Sequence, residues 1–197
     1  MPKGTATLEP SSHLPLVAVA WLAAAVGLAV SGAITAAPFL VPITVAGTIT
    51  AGIVAYRRGG ALRIRADHVD LRWPVLLHMI RAPIGALILF DMSRGVIPEL
   101  FGRRAGPGDI AVGVLAVIAA MALPARSRTR RAMVTAWCVF GVADLALAFS
   151  TAQYLLFVVH DPRLALIGQL PYALLPLFVV PIMILTHLLV LARLRAP

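Results

Sequence analysis

The sequence has few residues that can form covalent or metal cross-links. Its 197 residues include a single cysteine, Cys138, so the chain cannot form an intrachain disulfide or a cysteine-based metal or iron–sulfur site. Cys138 lies inside an apolar run, where a small buried side chain is expected. Lysine is equally scarce, because Lys3 is the only one among 17 basic residues. We interpret this usage of arginine as typical of a GC-rich bacterial genome.

Charged residues of both signs are scarce as well. Only 13% of the residues are charged and 60% are hydrophobic, and the mean hydropathy is +0.94. That composition leaves too little polar surface to cover a soluble domain, so it predicts a chain whose main partner is the lipid bilayer. The formal net charge of +9 would suggest nucleic acid only if the arginines formed one patch. They are dispersed between apolar runs, as in cytoplasmic loops of membrane proteins, and nucleic acid is not expected as a partner.

The long apolar runs predict six membrane spans. Residues 14–56 include no charged side chain, and a single helix of that length would measure ~65 Å against a hydrocarbon core of ~30 Å. The run must therefore cross twice, with a turn near Gly32, Pro38 and Pro42. The last run contains three further prolines, which predict a kink. We expect an all-α transmembrane bundle forming a single domain over residues 1–197, with spans at 14–34, 38–56, 73–97, 110–123, 132–159 and 170–191.

The basic residues predict the orientation of these spans. Six crossings place both termini on one side, and with the N-terminus inside, twelve basic residues are inner and four are outer. The positive-inside rule therefore favours cytoplasmic termini in a bacterial inner membrane. The inner set is Lys3, Arg57, Arg58, Arg63, Arg65, Arg72, Arg126, Arg128, Arg130, Arg131, Arg193 and Arg195, and the outer set is Arg94, Arg103, Arg104 and Arg163.

The first span has an alternative interpretation as a cleaved signal peptide. The segment ITAAPF offers the small residues that a cleavage site needs. The apolar region before it is long, however, and its leader holds one lysine. Those features favour a span that is retained.

Ionisable side chains within the spans mark a candidate site. An arginine or aspartate at a helix centre costs roughly 2.5 to 3.5 kcal/mol on insertion, so it faces the bundle interior and needs a partner. At ~1.5 Å per residue, Arg81 lies about 13 Å beyond Arg72 and Asp144 lies about 20 Å beyond Arg131. We predict that Arg81 and Asp144 form a buried ion pair. The pair serves either helix packing alone or a polar pathway or binding pocket.

Asp91 extends this predicted polar core. On the third span it lies about 80° from the stripe that contains His78 and Arg81, at ~100° per residue. It can also pair with Arg94, three residues further along the helix near the outer surface. We therefore expect a core of Arg81, Asp144 and Asp91, in which Asp91 has a local partner and Arg81 does not.

Two histidines lie at equal predicted depths. His78 is six residues from Arg72, and His187 is six residues from Arg193 on the last, oppositely directed span, so both lie ~9 Å inside the same face. They could relay protons to the interior or ligate a b-type haem between two helices. The alternative is a pair of ordinary hydrogen bonds to a carbonyl or to lipid headgroups. No CxxCH haem-attachment motif is present in the sequence.

The segment PELFGRRAGPGD, residues 98–109, is interpreted as a tight outer loop. Its proline and glycines are turn residues, and Asp109 is expected to cap the fourth span. Arg103 and Arg104 offer a site for an anionic ligand or headgroup. A solvated salt bridge to Glu99 is the favoured interpretation of this pair.

The sequence shows no catalytic signature, whether GxSxG, HExxH or P-loop, which argues against an enzyme. No metal site is expected. The leading hypothesis is a membrane protein that handles a small solute or protons through its buried Arg/Asp/His cluster. The alternatives are a haem-binding electron-transfer subunit, and an accessory or assembly subunit whose partner is another membrane protein.

Four segments, HMIRAPIGAL, GPGDIAVG, GVADLALA and VPIMILTHLLVLARLR, together resemble a family of short bacterial integral membrane proteins with no assigned activity. The resemblance covers about residues 74–195 and leaves the first hairpin outside. It supplies no substrate. It implies that the shared pattern includes Arg81, Asp109, Asp144, Pro181 and His187.

Overall fold

The chain is mostly helical in the part that the computed structural model describes, which is residues 13–195, with side chains from residue 16 onward. Short 3₁₀ or π-helical turns join or extend several of the helices. The α-helices are α1 (His13–Val30), α2 (Ala33–Ala36), α3 (Leu40–Arg57), α4 (Ala61–His68), α5 (Arg72–Leu77), α6 (Arg81–Ser93), α7 (Glu99–Met121), α8 (Arg128–Tyr154) and α9 (Val180–Arg195). The shorter turns are 3₁₀ at His78–Ile80 and Pro162–Gly168, and π-helical at Leu155–Val159 and Leu175–Val179.

Among the described residues, five helical segments are long and apolar enough to cross a membrane, so the expected number of six is wrong by this measure. The first predicted span is the one that falls short, because its apolar helix extends only over Leu16–Val30 within the described side chains. The helix ends there because Gly32 adopts a left-handed backbone conformation, with φ of +72°, and starts a turn. The five segments are Leu40–Arg57, Arg72–Ser93, Glu99–Met121, Arg128–Val159 and Leu175–Arg195.

The predicted outer loop at residues 98–109 is wrong, because those residues form the first half of α7. The helix begins after Pro98 and continues through Pro107 without a break. A proline inside an isolated helix costs about 3 kcal/mol, and here the burial of the surrounding turn against α6 and α8 outweighs that cost. The glycines beside Pro107 therefore serve close helix packing instead of a turn.

Burial is uneven among the long helices. In α7, 44% of the most apolar window is buried inside the protein, compared with 11% in α3. The buried positions of α7 are mostly glycine and alanine, which allow neighbouring backbones to approach closely. Its C-terminal half joins the largest apolar cluster, where Val112 and Ala116 pack with Val134, Cys138 and Val190.

Apart from Arg81, the described arginines lie at two separate ends of the bundle. Arg72 donates to the carbonyl of Leu123 at 2.9 Å, and Arg193 donates to that of Ala66 at 3.2 Å. These contacts bring the ends of α4, α7 and α9 to the start of α5. We call this the arginine-rich end, and it holds every described member of the predicted inner set. Lys3 lies outside the described residues.

Candidate functional site

Arg81 is the most deeply buried charged residue at the centre of the structure, with 1% of its surface exposed. It is the first residue of α6, directly after the 3₁₀ turn at His78–Ile80 that links α5 to α6. The three segments form one continuous rod over Arg72–Ser93. Arg81 therefore projects from the middle of an apolar rod towards α7 and α8.

The guanidinium of Arg81 donates hydrogen bonds in three directions. Its Nε atom lies 2.6 Å from Oδ1 of Asp109 on α7. Its Nη2 atom contacts Oδ2 of Asp144 on α8, and its Nη1 atom lies 3.3 Å from the carbonyl oxygen of Gly141. The structure thus brings together Arg81 and Asp144, the pair that the sequence suggests, and adds Asp109. We call Arg81, Asp109 and Asp144 the buried charge cluster.

The buried charge cluster has more carboxylates than cations. One guanidinium faces two carboxylates, whose side chains are 12% and 5% exposed for Asp109 and Asp144. If all three groups are ionised, one negative charge is uncompensated in a medium of low dielectric constant, which is energetically costly. Uptake of a proton between the two carboxylates removes that charge. The cluster therefore has one carboxylate more than its guanidinium can neutralise.

Glycines make this close arrangement possible. A β-carbon on Gly108 would overlap the carboxylate of Asp144, and one on Gly85 would lie 2.5 Å from the carbonyl oxygen of Gly106. A β-carbon on Gly141 would overlap the ring of His187 and lie 3.4 Å from Nη1 of Arg81. His187 and Arg81 therefore meet across Gly141.

His78 and His187 form a tilted stack beside the buried charge cluster, with 39° between their ring planes. Their ring centroids are 4.0 Å apart, and the ring of Trp137 packs 4.7 Å from His187. Nε2 of His78 lies 2.9 Å from Oγ1 of Thr186. Within the described residues, Nδ1 of His78 and both ring nitrogens of His187 have no hydrogen-bond partner, although both residues are fully buried.

This stacking does not fit a haem held between the two histidines. Axial ligation needs a ring nitrogen on each side of the porphyrin plane, pointing at the iron. His78 and His187 instead pack ring against ring, and Trp137 covers them. No group of three or more His, Cys, Asp or Glu side chains that could hold a metal ion occurs among the residues described.

Asp91 has a different partner from the expected one. Its Oδ2 atom accepts a hydrogen bond from the hydroxyl of Tyr172, which lies outside the helices. The guanidinium of Arg94 lies over the ring of Phe90, 5.4 Å from its centroid. The expected pair of Asp91 with Arg94 is therefore replaced by a contact across the fold. Asp91 lies ten residues beyond Arg81, or ~15 Å along the helix, and is not part of the buried charge cluster.

The three residues assigned to the outer loop, Arg103, Arg104 and Asp109, lie in different environments along α7. Arg103 forms a 2.5 Å salt bridge with Glu99, as the favoured interpretation expects, although both lie on the exposed first turns of α7. Arg104 lies 3.4 Å from the hydroxyl of Thr151 on α8. Asp109 is buried within α7 and does not cap a helix. Its assignment as a capping residue is the main error of the sequence interpretation.

A helical pattern in the sequence contains the information that would have placed Asp109 correctly. Gly102, Gly106, Asp109 and Gly113 are spaced at i, i+4, i+7 and i+11, which puts them on one face of a helix. All four are buried. A face of small residues with one carboxylate indicates a helix that packs closely around a buried charge.

Over residues 13–195, the fold and the site define an all-α protein with five long apolar helical segments and a buried arginine–aspartate cluster. The chain belongs to the family described as Domain of unknown function (DUF8737), which matches residues 38–195. The match includes α3, which the resemblance noted above left outside, but not α1. No curated protein and no solved structure matches the chain.

Proposed function

We propose that this protein is a polytopic protein of a bacterial cytoplasmic membrane that binds and transfers protons at the buried charge cluster. Five helical segments have the length and composition of membrane spans. The concentration of arginines at one end of the bundle supports an orientation with that end in the cytoplasm. Ionisable groups buried in a membrane commonly mark routes for protons or ions.

The observation that carries the proposal is the imbalance of charge around Arg81. A packing clamp needs one carboxylate for one guanidinium, whereas this cluster has two. The second carboxylate gives the cluster a place for an exchangeable proton. A groove lies beside α3 and α9, and an apolar cavity lies beside Tyr172. Neither is lined by a member of the buried charge cluster, so the proposal covers protons in preference to larger solutes.

The stacked histidines provide a connection towards the arginine-rich end. His187 meets Arg81 across Gly141, His78 stacks on His187, and Nε2 of His78 contacts Thr186. A neutral imidazole both accepts and donates a proton, so a buried ring with unpartnered nitrogens suits a relay. In this mechanism Asp109 and Asp144 hold the proton, Arg81 keeps the second carboxylate ionised, and the histidines pass the proton on.

The test uses the full chain reconstituted in vesicles that contain a pH-sensitive dye. A potassium diffusion potential drives protons inwards, and the rate of internal acidification is measured. We expect the wild type to acidify the vesicles faster than empty vesicles, and Asp144→Asn and Asp109→Asn to lower the rate at least tenfold. Glu99→Gln is the matched control, because Glu99 is an exposed carboxylate paired with one arginine.

Two results would contradict the proposal. If wild-type vesicles acidify no faster than empty ones, the protein does not transfer protons. If the aspartate variants are as active as Glu99→Gln, the buried charge cluster has no role in the transfer. The membrane location is tested separately by washing cell membranes with carbonate at high pH. Release of the chain into the supernatant would argue against membrane insertion.

A further inference from the structure

A groove lies on the side of the bundle between α3, α4 and α9, near the arginine-rich end. Its volume is about 590 Å³, within the ~300 to 1,000 Å³ of ordinary ligand pockets. Its walls are mainly apolar, with Ile53 from α3, Leu62 from α4 and Leu189 from α9 among them. The groove is therefore large enough for a hydrocarbon chain and has the surface to bind one.

Two arginines line the groove at its end. Arg57 is the last residue of α3 and Arg195 is the last residue of α9, and both line the groove. Within residues 13–195 neither forms a hydrogen bond or an ion pair. No aspartate or glutamate lines the groove. An apolar groove that ends at two available guanidinium groups is complementary to an anionic head on a hydrocarbon tail.

The neighbouring charged residues leave these two arginines available. Asp67 is engaged elsewhere, since it accepts hydrogen bonds from the hydroxyl of Tyr56 at 2.7 Å and from Arg63 at 3.4 Å. The bond from Tyr56 holds the pKa of Asp67 below its ordinary value. Arg193 is occupied by backbone carbonyls of the α4 segment. Asp67 and Arg193 therefore stabilise the wall of the groove.

We propose that this groove binds one anionic phospholipid, with the phosphate between Arg57 and Arg195 and an acyl chain along α3 and α9. The inference rests on the proposed membrane location, where basic pockets between helices on the cytoplasmic side bind anionic headgroups. Thr186 lines the groove and also contacts Nε2 of His78. The bound acyl chain therefore lies against the wall that supports the histidine pair.

The test compares lipids of equal chain length bound to the purified full chain. The protein is incubated in detergent with equal amounts of phosphatidylglycerol and phosphatidylcholine, and native mass spectrometry counts the lipids retained. We expect one phosphatidylglycerol per chain, preferred roughly 10- to 30-fold, since each basic residue near the surface contributes about a fivefold factor. Arg57→Gln with Arg195→Gln should abolish the preference.

Two further variants separate specific binding from general attraction. Arg126→Gln with Arg130→Gln removes the same charge at the same end of the bundle, around the start of α8, from exposed positions outside the groove, and should leave the preference intact. Ala192→Phe fills the groove without changing charge and should lower retention of both lipids. Correct folding of each variant is checked by the protection of Cys138, which is fully buried, from a thiol-reactive dye.

Three outcomes would overturn the proposal. Equal loss of preference in the Arg126/Arg130 variant would indicate general electrostatic attraction. Displacement of the lipid by millimolar inorganic phosphate would indicate an anion site without a lipid requirement. Equal retention of both lipids by the wild type would show that the arginines do not select a headgroup. None of these outcomes affects proton transfer, and the carbonate wash reports on membrane insertion independently.

Discussion

Glycine has different effects in two parts of this molecule. Between α6, α7 and α8, glycines allow the backbones to approach closely, and a β-carbon on Gly113 would lie 2.5 Å from the backbone nitrogen of Ala82. In α1 and the first half of α3, a β-carbon on Gly27 or Gly47 would meet nothing within 4 Å, whereas Gly52 in the second half of α3 packs against the side chain of Leu185 on α9. The same residue type therefore enforces close packing in one region and leaves open space in the other.

The difference follows from what each region encloses. The α6–α8 region surrounds the buried charge cluster, and a buried ion is tolerated only with short, complete contacts. The buried side chains that α1–α3 contribute are apolar, such as Ala25 and Val45. Dispersion contacts tolerate small changes of spacing better than charged hydrogen bonds do. The comparison predicts that equivalent substitutions will lower the free energy of unfolding more in the α6–α8 region than in the α1–α3 region.

The largest effect is expected for Arg81→Met. The substitution leaves two buried carboxylates without their cation, which costs about 3 to 5 kcal/mol of the free energy of unfolding. The measurement is thermal unfolding in detergent, followed by the reaction of Cys138 with a thiol-reactive dye. Arg94→Met is the control, because Arg94 is exposed and contacts only one aromatic face.

A second variant determines whether charge causes the loss. Arg81→Met combined with Asp109→Asn and Asp144→Asn removes all three ionisable groups, so it should recover part of the lost stability. If Arg81→Met is no more harmful than Arg94→Met, the cluster is not the constraint that fixes the spacing of α6, α7 and α8.

The second effect is expected for a matched pair of glycine substitutions. Gly108→Ala places a β-carbon on the carboxylate of Asp144, so α7 and α8 must move apart at a cost of about 1 to 3 kcal/mol. Gly47→Ala enters open space within a helix and should stabilise the protein by up to about 1 kcal/mol. The same dye assay measures the stability of both variants. If both substitutions change stability in the same direction, the two regions do not differ in how closely their glycines are packed.

Much of the all-α fold could be predicted from the sequence, because long apolar runs and the arginines between them can be recognised without knowledge of tertiary contacts. The proximity of Arg81 and Asp144 could be suggested from depth, since helical rise converts residue number into distance. The role of Asp109 could not be recognised from GPGD, because proline and glycine there signal a turn unless tertiary packing outweighs them. The contact of Asp91 with Tyr172 joins residues 81 positions apart, and no local pattern predicts such a partner.

The smallest loss of stability is expected for Trp21→Phe. Together with Trp137→Phe, it compares the same type of hydrogen bond in the two regions. Nε1 of Trp21 donates to the carbonyl of Leu177, and Nε1 of Trp137 donates to that of Val112, both at 3.1 Å. Trp137 is 6% exposed, whereas Trp21 is only partly buried. We expect Trp21→Phe to cost about 0.5 to 1 kcal/mol and Trp137→Phe about 1 to 3 kcal/mol, because donor and acceptor are both buried in the second case, whereas the partly exposed Trp21 leaves water a way to its bond.

Hydrogen exchange measured by mass spectrometry tests this prediction segment by segment. Trp21→Phe should speed exchange in α1 alone, since Trp21 ties α1 to the π-helical turn before α9. Trp137→Phe should speed exchange in both α7 and α8, because its ring also packs on His78 and His187 at the cluster. Faster exchange throughout the chain with Trp21→Phe would mean that α1 is as integral to the fold as the helices around Arg81.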